Sequence, residues 1–177
     1  QRWLERDRLQ SKLIMQVHDE LVLEVPDDEL ALVRERLPAL MCAVAELRVP
    51  LVPQGGHTSM VGGATPPEDG SALILSLRRM NRIRMIDAEA GIAIVDAGVV
   101  LSDLHDAALA QGMRFPLSLG AKGSATIGGL VSTNAGGTQV LRFGTMRKLV
   151  LGVEAVLPDG MLFDGLAALQ KDTRGYD

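Results

Sequence analysis

The chain has 177 residues, enough for one domain with a substantial core or for one domain plus an appendage. A formal net charge of −4 and an aromatic content of 3% leave neither a basic surface nor base-stacking platforms, so the composition does not point to nucleic acid. The one cysteine, Cys42, excludes an intramolecular disulfide and cannot form a cysteine-based zinc site alone, and no apolar run approaches the roughly 18 residues of a membrane span.

Residues 1–10 are a charged segment that reads as a helix end or a frayed terminus. No apolar core follows these charges, so a secretory signal is not expected and a cytoplasmic protein is. The opening on Gln1 rather than Met is what a piece of a longer chain would show. In KLIMQVHDELVLEV, Lys12 to Val25, two β-prone runs flank the polar His18-Asp19-Glu20, which predicts a hairpin. From Pro26 the period changes. Asp27 and Asp28 suit the positive end of a helix dipole, and Leu30, Val33, Leu37, Leu40, Met41 and Val44 recur at helical spacing. Pro38 should kink or split that helix, and Cys42 within its apolar run reads as a buried, inert thiol. All 19 glycines lie at or after Gly55, a composition step that marks a boundary.

Leu51-Val52 then reads as a short strand leading into a small-residue loop, PQGGHTSMVGGATP, from Pro53 to Pro66. Ala72 to Leu77 is a buried strand, and Arg78 to Arg84 is a basic turn with a solvated face. Ile83–Ile86 and Ile92–Ala97 are paired strands around Ala90-Gly91. Leu101 to Gln111 is an amphipathic helix with Ser102 at its start, His105 on its surface and Gly112 as C-cap. Residues 151–157 and 161–164 form a hairpin around Pro158-Asp159-Gly160. Strict βαβ alternation and a GxGxxG after a strand are both missing, which argues against a Rossmann fold. Ala121-Lys122-Gly123 lacks the order of a nucleotide P-loop.

The stretch that organises the rest is Pro116 to Thr138, PLSLGAKGSATIGGLVSTNAGGT. Nearly every residue is small, and neither an amphipathic helix nor an alternating strand reads this way. Glycine lets a ligand lie close to the main chain, exposed N–H groups form concave anion sites, and Ser124, Thr126, Ser132, Thr133 and Asn134 can donate hydrogen bonds. The stretch reads as a wall for a large, flat, phosphate-bearing ligand.

The two glycine-rich segments and their flanks resemble the FAD-binding domain of the vanillyl-alcohol-oxidase (PCMH) type, most closely the D-2-hydroxyglutarate and D-lactate dehydrogenase branch. The likeness is carried in order by PQGGHTSMVGGATP, SLRRMNRI, PLSLGAKGSATIGG, STNAGGTQVLRFG, VLGVEAVLPDG and KDTRGYD, from about Val49 to Asp177. It implies an α+β fold of two lobes, with FAD as cofactor. The positions matching flavin contacts are Pro53, Gly55, Gly56, His57, Thr58, Ser59 and Gly62 in the first loop, which would cradle the pyrophosphate. In the second segment they are Pro116, Leu117, Ser118, Gly120, Gly123, Ser124, Thr126, Ile127, Gly128, Ser132, Thr133, Asn134 and Gly136. Arg142, Gly144 and, in the next strand, Val153 complete the set. His57 stands where this branch usually has Asn; its expected role is a hydrogen bond near the pyrophosphate, with covalent attachment to the flavin as the alternative. In the complete enzyme a hydride would pass from C2 of a small 2-hydroxyacid to flavin N5. In KDTRGYD, Thr173 and Arg174 replace the family's Asn-Thr pair, and the family's cap domain lies beyond it. The expectation for this chain is therefore a fragment that binds FAD weakly or not at all and turns over no hydroxyacid. No metal site, membrane partner or nucleic-acid partner is expected, and the chain supplies no catalytic residue of its own.

Residues 1–52 resemble something else. IMQVHDELVLEVP is similar to the last palm motif of family A DNA polymerases, in which the turn Asp, here Asp19, binds a catalytic magnesium beside His18 and Glu20. Two-metal phosphoryl transfer needs a second carboxylate from another strand, and Glu20 next to Asp19 points to the opposite face. Polymerase activity is therefore not expected. Both likenesses meet in RVPLVP, Arg48 to Pro53, as in a chimera spliced at a shared short word. The expected organisation is a polymerase-like hairpin and helix over 1–48 and an FAD-binding domain over 49–177. The rival reading is a polymerase-palm remnant carrying an inert glycine-rich fusion.

Overall fold

The computed structural model describes residues 12–17, 20–24, 38–39, 41–44 and 46–166. The expected turn residues His18 and Asp19, the helix expected over 26–37 and the KDTRGYD segment lie outside them. The chain divides into two compact units. One comprises Gln1–Val52, Pro66–Leu75 and Leu151–Asp177; the other comprises Pro53–Thr65 and Ser76–Val150.

In the first unit, β1 (Lys12–Val17) and β2 (Glu20–Glu24) form the expected antiparallel hairpin, with Val17 opposite Glu20 and an irregularity between Leu13 and Met15. β2 then pairs in parallel with β4 (Leu73–Ser76) through Glu20 and Ile74. With β3 (Leu51–Gln54) the sheet order is β1-β2-β4-β3. The strand expected to be buried is half-buried along its length, and only Ala72 before it is fully enclosed. Residues 38–39, 41–44 and 46 are helical. Cys42 is half-buried rather than buried, and its thiol donates to the Asp159 carbonyl at 3.1 Å. That carbonyl belongs to the turn joining β7 (Glu154–Val156) to β8 (Leu162–Asp164), the second expected hairpin. The Leu157 N–H donates to the Met161 carbonyl at 2.8 Å, and Gly160 takes φ 82°, a left-handed conformation that suits glycine.

Among the described residues, the main cluster of buried side chains lies in the second unit. β5 (Ile83–Asp87) and β6 (Ile92–Val95) form the antiparallel hairpin read from the sequence; Asp87 Oδ1 accepts the Ala90 N–H within its turn. The helix α1 (Leu101–Ala110) buries Leu101, Leu104 and Ala108, one face at i, i+3 and i+7, and leaves Leu109 exposed. Gly112 follows at φ 70° and its N–H donates to the Leu109 carbonyl, as a C-cap should. Around α1 pack Val99, Leu117, Ala125, Ile127, Leu130 and Met146. Three short helices complete the unit: α2 (Ile127–Ser132), α3 (Val140–Phe143) and α4 (Met146–Leu149). α2 lies in text that gives no helical signal. Burial of Ile127 and Leu130 one turn apart holds it despite Gly128 and Gly129, each of which disfavours a helix by about 1 kcal/mol relative to Ala.

Two further side chains differ from expectation. The basic turn is not wholly a solvated face, because Arg84 Nε donates to Asp96 Oδ1 at 2.7 Å and Asp96 is buried. A buried carboxylate needs such a partner. His105 is half-buried rather than on the surface: its Nε2 meets the Leu117 carbonyl at 2.8 Å and its ring lies 6.2 Å from that of Phe115.

Candidate functional site

Residues 97–101 form a spine on which the second glycine-rich segment hangs. The Leu101 N–H donates to the Ala125 carbonyl at 2.9 Å, Ile127 N–H to Val99 at 2.8 Å, and Gly128 N–H to Ala97 at 2.7 Å. A Cβ on Gly128 would come within 2.6 Å of the Ala97 Cβ, so only glycine admits this approach. The buried Asp96 anchors the near end of the spine. It accepts the Arg82 N–H at 3.2 Å and the Arg84 guanidinium, while its own N–H donates to the Arg82 carbonyl.

The first glycine loop is pressed against the same segment. A Cβ on Gly56 would fall on the Ser124 carbonyl oxygen, and one on Gly55 would fall on the Thr126 hydroxyl. Two stretches far apart in sequence thus touch, Gly56 on the Ser124 main chain and Gly55 on the Thr126 hydroxyl. The Thr126 hydroxyl at this junction is buried and lacks a hydrogen-bond partner among the described residues. From the junction the chain runs outward. His57, Thr58, Ser59 and Gly62 are exposed, His57 at φ 50° and Gly62 at φ 73°. Gly120, Gly123 and Ser124 are exposed too, and open space lies where Cβ atoms would sit on Gly62, Gly120 and Gly123.

The remaining predicted positions, Val153 excepted, lie in the same unit. Pro116 and Ser118 are half-buried and Leu117 is buried. The Ser118 carbonyl accepts both the Thr138 N–H at 2.8 Å and the Thr138 hydroxyl at 3.3 Å. Ser132 and Thr133, expected to donate outward, instead donate their hydroxyls to the Gly128 and Gly129 carbonyls, each at 2.8 Å. Their oxygens remain as acceptors. Asn134 is exposed at φ 48°, and its Oδ1 accepts the Arg147 N–H at 3.0 Å at the start of α4, which leaves the amide nitrogen as its donor. Gly136 is exposed, Gly144 stands at φ 84°, and Arg142 is exposed with its guanidinium 5.0 Å from the Phe143 ring centre. Arg142 also lines a cavity of about 270 Å³ with Arg114, Thr138, Gln139, Leu141 and Phe143. Val153 belongs to the other unit and stands just before β7. Glu20 opens β2 and Asp19 lies outside the described residues; among those, no group of three His, Cys, Asp or Glu side chains could hold a metal ion. Sequence reasoning missed Asp96 and Ala97, because tertiary pairing rather than any local pattern places them under the glycines.

The family model for the FAD binding domain matches residues 34–165, well over half of the chain. The chain belongs to the FAD-binding domain family. FAD is the cofactor of that family, as the resemblance implied. The family model for DNA polymerase family A matches only residues 1–60, a short likeness over the opening. The mitochondrial D-2-hydroxyglutarate dehydrogenase of Bos taurus is 49% identical over 125 residues, covering 71% of this chain and 23% of that protein. A Schizosaccharomyces pombe protein named for mitochondrial D-lactate dehydrogenase is 44% identical over 130 residues, covering 73% of this chain and 24% of its own length. The chain thus spans about a quarter of these relatives. Both are named mitochondrial, which overturns the expectation of a cytoplasmic protein; that expectation rested only on the lack of a signal sequence at the start. Among the described residues no helix is long and apolar enough to cross a membrane. A solved alkyldihydroxyacetonephosphate synthase superposes with a TM-score of 0.66 at 23% identity, covering 76% of this chain and 27% of that one, and so shares the fold. The fold is that of the PCMH-type FAD-binding proteins, α+β as expected.

Proposed function

We propose that this chain binds FAD along its two glycine-rich segments and is the flavin-binding part of a 2-hydroxyacid dehydrogenase acting on a small D-hydroxyacid. The observation that carries the reading is the junction of Gly55 and Gly56 with Ser124 to Thr126, where a Cβ on either glycine would strike the facing segment. Two phosphates held without a metal need several main-chain donors within reach, and glycine-rich loops let a ligand come close to such donors. The unpartnered Thr126 hydroxyl at the same junction fits a site completed by a polar ligand. FAD, when bound, supplies the hydride acceptor.

In this reading Pro53 to Gly62 receive the pyrophosphate, with His57 as a hydrogen-bonding rather than covalent partner. Pro116 to Ser118 and Gly120 to Gly136 form the wall for the remainder, and Asn134 turns its amide N–H₂ to a polar edge of the ring. Arg142, exposed beside that wall, adds positive charge. Residues 1–48 are taken as a separate polymerase-like segment without a role in this chemistry. The relatives' names support the substrate class, and the substrate itself would be held by parts of the longer protein.

The test is to purify the chain, add FAD and separate free cofactor by gel filtration. A yellow protein fraction whose flavin is released by acid supports non-covalent binding. Because weak binding does not survive gel filtration, the refuting result is an equilibrium one: no saturable change in flavin fluorescence when the chain is titrated into FAD. In the complete protein, D-2-hydroxyglutarate or D-lactate should bleach the bound flavin, whereas the chain alone should not respond to either.

A further inference from the structure

The first glycine loop has little of its own to hold it. His57 to Gly63 are all exposed, with Met60 and Val61 fully in solvent, so no apolar side chain anchors the tip. A Cβ on Gly62 or Gly63 would meet open space. Within the loop the Thr65 N–H donates to the Gly62 carbonyl at 2.9 Å, and the Val61 N–H reaches the Ser59 hydroxyl only at 3.4 Å. Its outgoing limb is fixed, because Gly55 and Gly56 are wedged on Ser124 to Thr126 and the Gln54 carbonyl accepts the Leu77 N–H at 2.9 Å. Its returning limb is tied to the outgoing one by one side chain. Gln54 Nε2 donates to the Ala64 carbonyl at 2.7 Å, across the mouth of the loop.

We infer that Gln54 is a positioning residue for the cofactor: its amide closes the loop mouth and so presets the main chain that would receive the phosphates. The inference rests on the proposed FAD site. A loop free at one limb must be ordered when the ligand binds, and that lost freedom weakens the complex; a loop already closed avoids this. Gln54 supplies the closure with a neutral donor half-buried at the stem, while the tip remains open to a ligand. A methionine of similar length fills the same space and donates nothing, and a glutamate sets a carboxylate against the Ala64 carbonyl.

The experiment uses the whole chain as wild type, Gln54→Met and Gln54→Glu. Three quantities are compared: the FAD dissociation constant, the melting temperature of the ligand-free protein, and the rate of limited proteolysis between Gly55 and Ala64 without ligand. FAD binding is expected to weaken about tenfold in Gln54→Met and further in Gln54→Glu, the size of one lost hydrogen bond. Cleavage in the loop should accelerate in both, while the melting temperature moves little, because the loop lies outside the core. If wild type binds FAD and both variants bind it equally well, the inference fails. It also fails if loop cleavage is unchanged, or if a lower melting temperature is the only effect. If wild type itself does not bind FAD but the variants are cleaved faster, the clamp stands and the cofactor reading falls.

Discussion

Gly56 has no room for a side chain, since the Ser124 carbonyl oxygen occupies the place of its Cβ. Gly56→Val should therefore push the two glycine segments apart, costing about 1–3 kcal/mol of stability as overpacked sites do, and should weaken FAD binding as well. Thermal melts and an FAD titration of the variant check both effects. Gly63→Ala, where open space awaits the methyl group, should stay within about 0.5 kcal/mol of wild type. Asp96 is the other decisive residue. Asp96→Ala removes the charge-assisted bond from Arg84 and should cost about 1.5–3 kcal/mol in urea unfolding. None of this was visible residue by residue. Glycine-rich text signals close approach but not to what, and Arg84 reads as solvated because its partner lies 12 residues away across a hairpin.

At the scale of elements, the legible parts were those with a period and a punctuation mark. α1 shows its apolar face and its Gly112 stop, and the hairpins over 83–95 and 154–164 show two β-prone runs around a turn. Leu101→Ala, at a fully buried position on α1, should cost about 2–5 kcal/mol, whereas Leu109→Ala on the exposed face should cost a few tenths at most; chemical denaturation of the pair separates them. The short helices were not legible. α3 and α4 have four residues each, less than a usable period, and α2 carries two glycines. The helicity of α2 and α4 comes from tertiary burial of Ile127, Leu130 and Met146 rather than from local preference, whereas α3 buries none of its residues.

For the whole molecule, six blocks in family order gave the FAD-binding fold and its cofactor, while the compartment was misread. The polymerase-like opening should incorporate no nucleotide; magnesium-dependent primer extension that vanishes in Asp19→Ala would overturn that expectation. The central claim is that the two glycine-rich segments form one cofactor site. Backbone amide NMR of the labelled chain during FAD titration tests it most directly. The account predicts saturable shifts in both Gly55–Gly63 and Ser118–Gly136. Shifts confined to one segment, or none at saturating FAD, would contradict it.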